Sequence, residues 1–210
     1  MLQVISLTLG PVATNTYLLA DDITGEAVVI DPAWDGQVII TEAQQHSWHI
    51  GQIWVTHAHF DHFAGITDLQ AGITPPAVIA LHPADLSLWR MKGGADWFGI
   101  RIEAAAQPAV LLQPGQILRV GQYGFEVRYT PGHSPGHVIF YCAAEDLAFC
   151  GDTIFAGSIG RTDLPGGDEE TLIESIRREI LALPDDTRLL CGHGEETSVG
   201  KEKRTNLYLK

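Results

Sequence analysis

Four side chains able to bind a metal fall within the run His57-Ala58-His59-Phe60-Asp61-His62. The run follows the apolar segment Ile53-Trp54-Val55. In extended backbone the side chains alternate, so His57, His59 and Asp61 would point to one side. A turn after Asp61 would swing His62 back toward the same space. One ion cannot easily take all four groups with good geometry. Two adjacent ions can, so the run reads as the core of a dinuclear site. A lone histidine is usually a surface residue or a satisfied core residue. Burying these four groups unpartnered would cost roughly 2–7 kcal/mol per polar group, and more for charged Asp61. A metal supplies the partner.

Three later segments add candidate ligands. Thr130-Pro131-Gly132-His133-Ser134-Pro135-Gly136-His137 follows the alternating stretch Phe125 to Tyr129 and is punctuated like a turn. Phe149-Cys150-Gly151-Asp152 is a strand pattern ending in an acid, and Leu189-Leu190-Cys191-Gly192-His193 is a strand pattern ending in a histidine. Apolar strands that deliver one ligand each at their ends suit a catalytic cleft.

In order and over most of its length, the chain resembles the metallo-β-lactamase-fold hydrolases, through H-x-H-x-D-H and the downstream His, Asp and His. Within them it is similar to the short, single-domain glyoxalase II-like (hydroxyacylglutathione hydrolase-like) group. Asn15 to Leu19, Thr130 to His137, Ser158 to Asp168, Gly192 to Thr197 and Glu202 to Asn206 carry that closer resemblance. The resemblance implies an αββα sandwich: two mixed β-sheets flanked by helices. It implies that His57, His59 and His133 hold one metal, and that Asp61, His62 and His193 hold the other. Asp152 and a water or hydroxide bridge the two. The implied reaction is hydrolysis of a thioester, S-lactoylglutathione or a related hydroxyacylglutathione, by the bridging hydroxide. The implied cofactors are two divalent ions, Zn first, with Fe or Mn as alternatives. Asp61 is expected, as a second role, to orient the nucleophile and accept its proton.

Arg161 matches a basic residue that contacts glutathione in glyoxalase II proteins, and a guanidinium suits a carboxylate. Two positions later those proteins carry an aromatic residue where this chain has Asp163, so Arg161 is read equally as the partner of Asp163. With so little sequence after His193, no counterpart of the C-terminal helical domain of the full-size enzymes is expected. Persulfide dioxygenases, which use a single iron, share the H-x-H-x-D-H run and are the alternative, along with hydrolases of other esters or lactones. A non-catalytic metal-binding protein on this fold is a third reading, disfavoured because all seven ligands are present. His137 is expected beside the ligands rather than among them. Asp31 is read as a support for the site or as a turn residue with Pro32. His46, His49 and His82 read as ordinary, and Asn15 and Tyr17 as turn and packing residues.

Positioning these groups requires a folded core, and 210 residues at 45% apolar content suit one domain over residues 1–210. No apolar run approaches the roughly 20 residues of a membrane span. The N-terminus lacks a signal-peptide pattern. Cys142, Cys150 and Cys191 form an odd set without C-x-x-C, read as buried reduced thiols. Together these point to a cytoplasmic protein acting on a small molecule, away from membranes. A net charge of −13 argues against nucleic acid as a partner.

Strand patterns cover 4–9, 17–20, 27–30, 53–56, 77–81 and 188–191, with a hairpin-rich stretch over 116–155. Helices are expected over 36–45, 62–69, 83–91 and 168–183, with a short one at the C-terminus. Asp168 is the expected N-cap of the fourth, and Leu172, Ile173, Ile176, Ile180 and Leu181 its apolar face. Residues 92–107, with Gly93-Gly94, read as a flexible region near the cleft.

Overall fold

Alternating apolar residues at the start of the chain form an antiparallel meander, the first half of a six-stranded sheet. The computed structural model describes residues 1–210. They form two compact units, Met1–Leu112 with Arg119–Tyr123, and Gln113–Leu118 with Gly124–Lys210.

In the first unit, β1 (Leu2–Leu9), β2 (Thr14–Asp21) and β3 (Glu26–Ile30) pair antiparallel. β4 (His49–Trp54), β5 (Val78–Leu81) and β6 (Val110–Leu111) continue the sheet in parallel. Parallel strands need crossovers, and helix α1 (Gly36–Gln45) and helix α2 (Ile66–Gly72) supply them, the first joining β3 to β4 and the second β4 to β5. A third helix, α3 (Leu86–Arg90), precedes 3₁₀ turns over Lys92–Phe98. Ile39, Ile40 and Ala43 of α1 and Ile66 and Leu69 of α2 share a core with Leu18, Val29, Ile53, Val55 and Leu81. The two helices approach closely because Gly36 lacks a side chain: a Cβ there would overlap the backbone of Leu69.

The second sheet runs β14-β13-β10-β9-β8-β7, with β7 (Ile117–Val120), β8 (Tyr123–Tyr129), β9 (Val138–Cys142), β10 (Leu147–Gly151), β13 (Arg188–Cys191) and β14 (Thr197–Ser198). β10 and β13 pair in parallel, and β9 and β14 flank them antiparallel. A small hairpin, β11 (Ile154–Phe155) and β12 (Ser158–Ile159), follows β10. The helix between β12 and β13, α4 (Glu169–Ser175), continues as a π turn over Ile176–Ile180. Asp168 caps α4 by accepting from Thr171 N at 2.8 Å. Leu172, Ile176, Ile180 and Leu183 pack on Ile139, Ala148, Cys150 and Leu189, together with Val199 of α5 (Val199–Thr205). Of the expected apolar face, Ile173 and Leu181 are only half-buried, whereas Leu183 beyond it is buried. Two mixed β-sheets flanked by helices are the expected fold class.

Two expectations about local structure change. The strand before the metal-ligand run is His49–Trp54 rather than 53–56, since pairing with β3 starts at Glu26 opposite His49. Residues 92–98, expected within an irregular stretch, form 3₁₀ turns in which Gly93, Gly94 and Ala95 are buried, with Lys92, Gly93 and Gly94 at φ 55, 62 and 73°.

Candidate metal centre

In the first unit the chain leaves β4 at Trp54, and His57 to His59 take no regular form. A single 3₁₀ turn, Phe60–His62, follows. The extended alternation expected for the run therefore stops at His59, and Asp61 sits inside the turn that brings His62 back. The rings converge: the His57 centroid lies 4.1 Å from that of His62 and 4.8 Å from that of His59. His62 Nε2 is 3.5 Å from Asp61 Oδ2. All three rings are buried.

Hydrogen bonds fix which ring nitrogens face the cluster. Asp31 Oδ2 takes the Thr56 hydroxyl proton at 2.6 Å and faces His62 Nδ1 at 2.9 Å. A carboxylate accepts, so His62 donates from Nδ1 and its Nε2 keeps a lone pair. Thr56 has spent its one hydroxyl proton, so its oxygen accepts from His57 Nδ1 at 3.1 Å. The neutral His57 ring therefore carries its lone pair on Nε2. Thr14 Oγ1 donates to Asp61 Oδ2 at 2.9 Å and orients that carboxylate. Asp31 thus supports the site, the first of its two readings, while its φ of 50° serves the turn as well. Asp31→Ala is expected to cost about 1–3 kcal/mol of stability in urea titrations. The cause is Thr56 N, 2.7 Å from Asp31 Oδ1, which loses its buried acceptor.

In the second unit, His133 follows β8, Asp152 follows β10 and His193 follows β13, each at a strand end as expected. Asp152 Oδ2 is 3.5 Å from His133 Nε2 and 3.5 Å from His193 Nε2. His133 Nδ1 lies 2.7 Å from the Arg161 carbonyl oxygen. A carbonyl only accepts, so in the neutral ring the proton is on Nδ1 and the Nε2 lone pair faces the Asp152 carboxylate. Two lone pairs at that distance repel, and a cation held by both groups would relieve that repulsion. The donor set of imidazoles and carboxylates fits Zn, Fe or Mn.

His137 stands where the sequence places it, beside the ligands. Its Nε2 accepts from Asp152 N at 3.0 Å, so the proton is on Nδ1, which donates to Thr130 Oγ1 at 2.9 Å. It anchors the backbone of Asp152. Arg161 pairs with Asp163 through two bonds of 2.7 and 2.8 Å, and the guanidinium holds the Asp163 carboxyl down at about 2. Cys191 is a core thiol, pushed up to about 12 chiefly by burial, and burial raises Cys150 as well. All three cysteines are buried thiols outside any disulfide.

Other residues go unnoticed at the sequence level. Gly160 passes so close to the strand end that a Cβ there would overlap the Asp152 carbonyl oxygen. Asp85, fully buried, accepts from the amide of Ala58 at 2.9 Å. Its only signal is the Pro83 helix start, which points to local structure.

The family model for the metallo-beta-lactamase superfamily matches residues 9–193. The chain belongs to that superfamily. It is 36% identical over 197 residues to the protein named hydroxyacylglutathione hydrolase GloC of Haemophilus influenzae, covering 93% of this chain and 92% of that protein. Among solved structures it superimposes on the BLEG-1 B3 metallo-beta-lactamase with a TM-score of 0.90 and 36% identity, covering 100% of both chains. TTHA1623, solved in a di-iron-bound form, gives a TM-score of 0.89 and 37% identity over 98% of this chain and 100% of that one. Membership in this superfamily makes the protein a metallo-hydrolase, and its cluster of histidines and aspartates is of the kind that can hold divalent metal. No helix is long and apolar enough to cross a membrane.

Proposed function

We propose that the protein hydrolyses a thioester of the hydroxyacylglutathione type, and that residues 1–210 work as one catalytic domain. In this reading His57, His59 and His133 would hold one divalent cation and Asp61, His62 and His193 a second, with Asp152 available to both. The observation that carries it is Asp152 Oδ2, set 3.5 Å from two imidazole nitrogens, one of which is lone-paired through its ring's bond to a carbonyl. When bound, such a pair of cations lowers the pKa of water toward ~7 and polarises a carbonyl.

The chain's own groups do the rest. Asp61, oriented by Thr14, aligns the attacking water and accepts its proton. His137 fixes the Asp152 backbone, so the shared carboxylate needs no reorganisation. No strong general acid is required, because a thiolate leaves without protonation. The half-exposed Arg161 can exchange Asp163 for a substrate carboxylate. Likeness to the Haemophilus influenzae protein supports the glutathione-derived substrate.

Arg161→Ala should then raise KM for S-lactoylglutathione about tenfold with kcat little changed, the worth of one partly exposed charge-assisted bond. An unchanged KM would leave Arg161 as the partner of Asp163 only.

The test of the whole reading is thioester loss from S-lactoylglutathione by protein loaded with zinc, iron or manganese. Metal-dependent turnover is expected. A protein that ignores the thioester but opens a cephalosporin would follow its lactamase neighbour instead. Sulfite formed from glutathione persulfide by an iron-loaded sample would replace hydrolysis with oxygenation.

A further inference from the structure

We infer that Asp85 is a positioning residue for the metal-ligand run, holding its backbone between His57 and His59. The inference rests on the metal centre proposed above. His57 to His59 lie outside any strand or helix, so the amide between the two imidazoles must find its acceptor elsewhere. It donates to Asp85 Oδ2 at 2.9 Å, across 27 residues of chain. Asp85 occupies the N-cap of α3, where an aspartate ordinarily bonds the first helical amides. Here it makes no side-chain cap bond, and its carboxylate reaches the run instead. The residue is fully buried, and a carboxylate held in the interior is costly unless it accepts hydrogen bonds.

The chain just beyond α3 braces the run a second time. Gly93, at φ 62°, lies against it so closely that a Cβ would overlap Phe60 N and come within 2.7 Å of Ala58 O. Ala58 is therefore gripped at both its amide and its carbonyl. It joins two ligands, so any shift of its peptide planes rotates both imidazoles away from a common ion. Outer groups that orient ligands in this way set metal affinity.

The test compares the wild type with Asp85→Ala, the better-filling Asp85→Leu and Asp85→Asn, whose side-chain carbonyl still accepts. Each is checked for folding by circular dichroism and titrated with zinc against a competing chelator. Each is also loaded with cobalt(II) to read its visible ligand-field bands. Folded Asp85→Ala and Asp85→Leu are expected to bind zinc roughly 10–100-fold more weakly with shifted cobalt bands, and Asp85→Asn to recover most of that loss. Wild-type zinc affinity and unshifted bands in either folded non-acceptor variant would overturn the inference, leaving Asp85 a role in packing α3. If neither folds, Asp85→Asn decides: retained zinc binding upholds the acceptor role and lost binding overturns it. Failure of the thioester reading leaves these metal readouts standing. A wild type that takes up no zinc or cobalt sinks the centre and this inference together.

Discussion

Asp152→Ala is expected to lower kcat/KM for the thioester by about 10³-fold, and to lower the content of both metals in the purified protein. One carboxylate oxygen stands 3.5 Å from His133 Nε2 and equally far from His193 Nε2. Removing it takes the negative charge from between two imidazoles that the backbone still holds in place. His133 stays tied to the Arg161 carbonyl, and His193 still follows a strand whose Gly192 amide bonds Gly151 at 2.7 Å. The loss should therefore appear in metal content and turnover, not in folding. Elemental analysis beside steady-state kinetics checks it. A variant that kept both metals and normal rates would remove Asp152 from the shared position.

The candidate ligands are legible in the sequence because each sits where a strong local pattern ends. β13, Arg188–Cys191, and α1, Gly36–Gln45, fall where apolar periodicity puts them, and His193 and Asp152 follow their strands directly. The groups that aim the ligands are far less visible. Asp31 meets Thr56 and His62 across 25 and 31 residues, and Asp85 meets Ala58 across 27. A hydrogen bond over that separation leaves no spacing to read, and Asp31-Pro32 or Pro83-Ala84-Asp85 look like ordinary punctuation. Gly93 in the 92–98 segment is hard to read for a related reason. Two glycines in a row suggest looseness, yet Gly93 is there because the ligand run leaves no room for a side chain. Glycine for freedom and glycine for close approach are the same letter. The bend inside the run has no such letter at all: alternation extends on paper past His59, where the chain turns.

Gly160→Ala distinguishes those two uses of glycine at the centre itself. The residue follows β12, and its amide reaches Thr153 O at 3.4 Å. An added Cβ would overlap the Asp152 carbonyl oxygen and come within 3.1 Å of His133 Nδ1. Neither neighbour is the far end of a flexible chain. One is backbone next to the shared carboxylate, and the other is a ring already bonded to Arg161 O at 2.7 Å. The added methyl must displace one or both. Overpacking of this kind costs roughly 1–3 kcal/mol, and at backbone the upper end applies. Activity should suffer more than stability, since a displacement near 1 Å of a catalytic group can cost about 10²-fold. The expected result is a folded protein with a thermal midpoint lowered by a few degrees and kcat down about 10²-fold. Metal affinity should fall with kcat, because His133 and Asp152 move together. Gly157, in the turn between β11 and β12, has open space where a methyl would go but a left-handed φ of 74°. Gly157→Ala should therefore lose stability through backbone strain while kcat holds. Equal kcat losses in the two variants would show that loop conformation, rather than contact with Asp152, governs the centre.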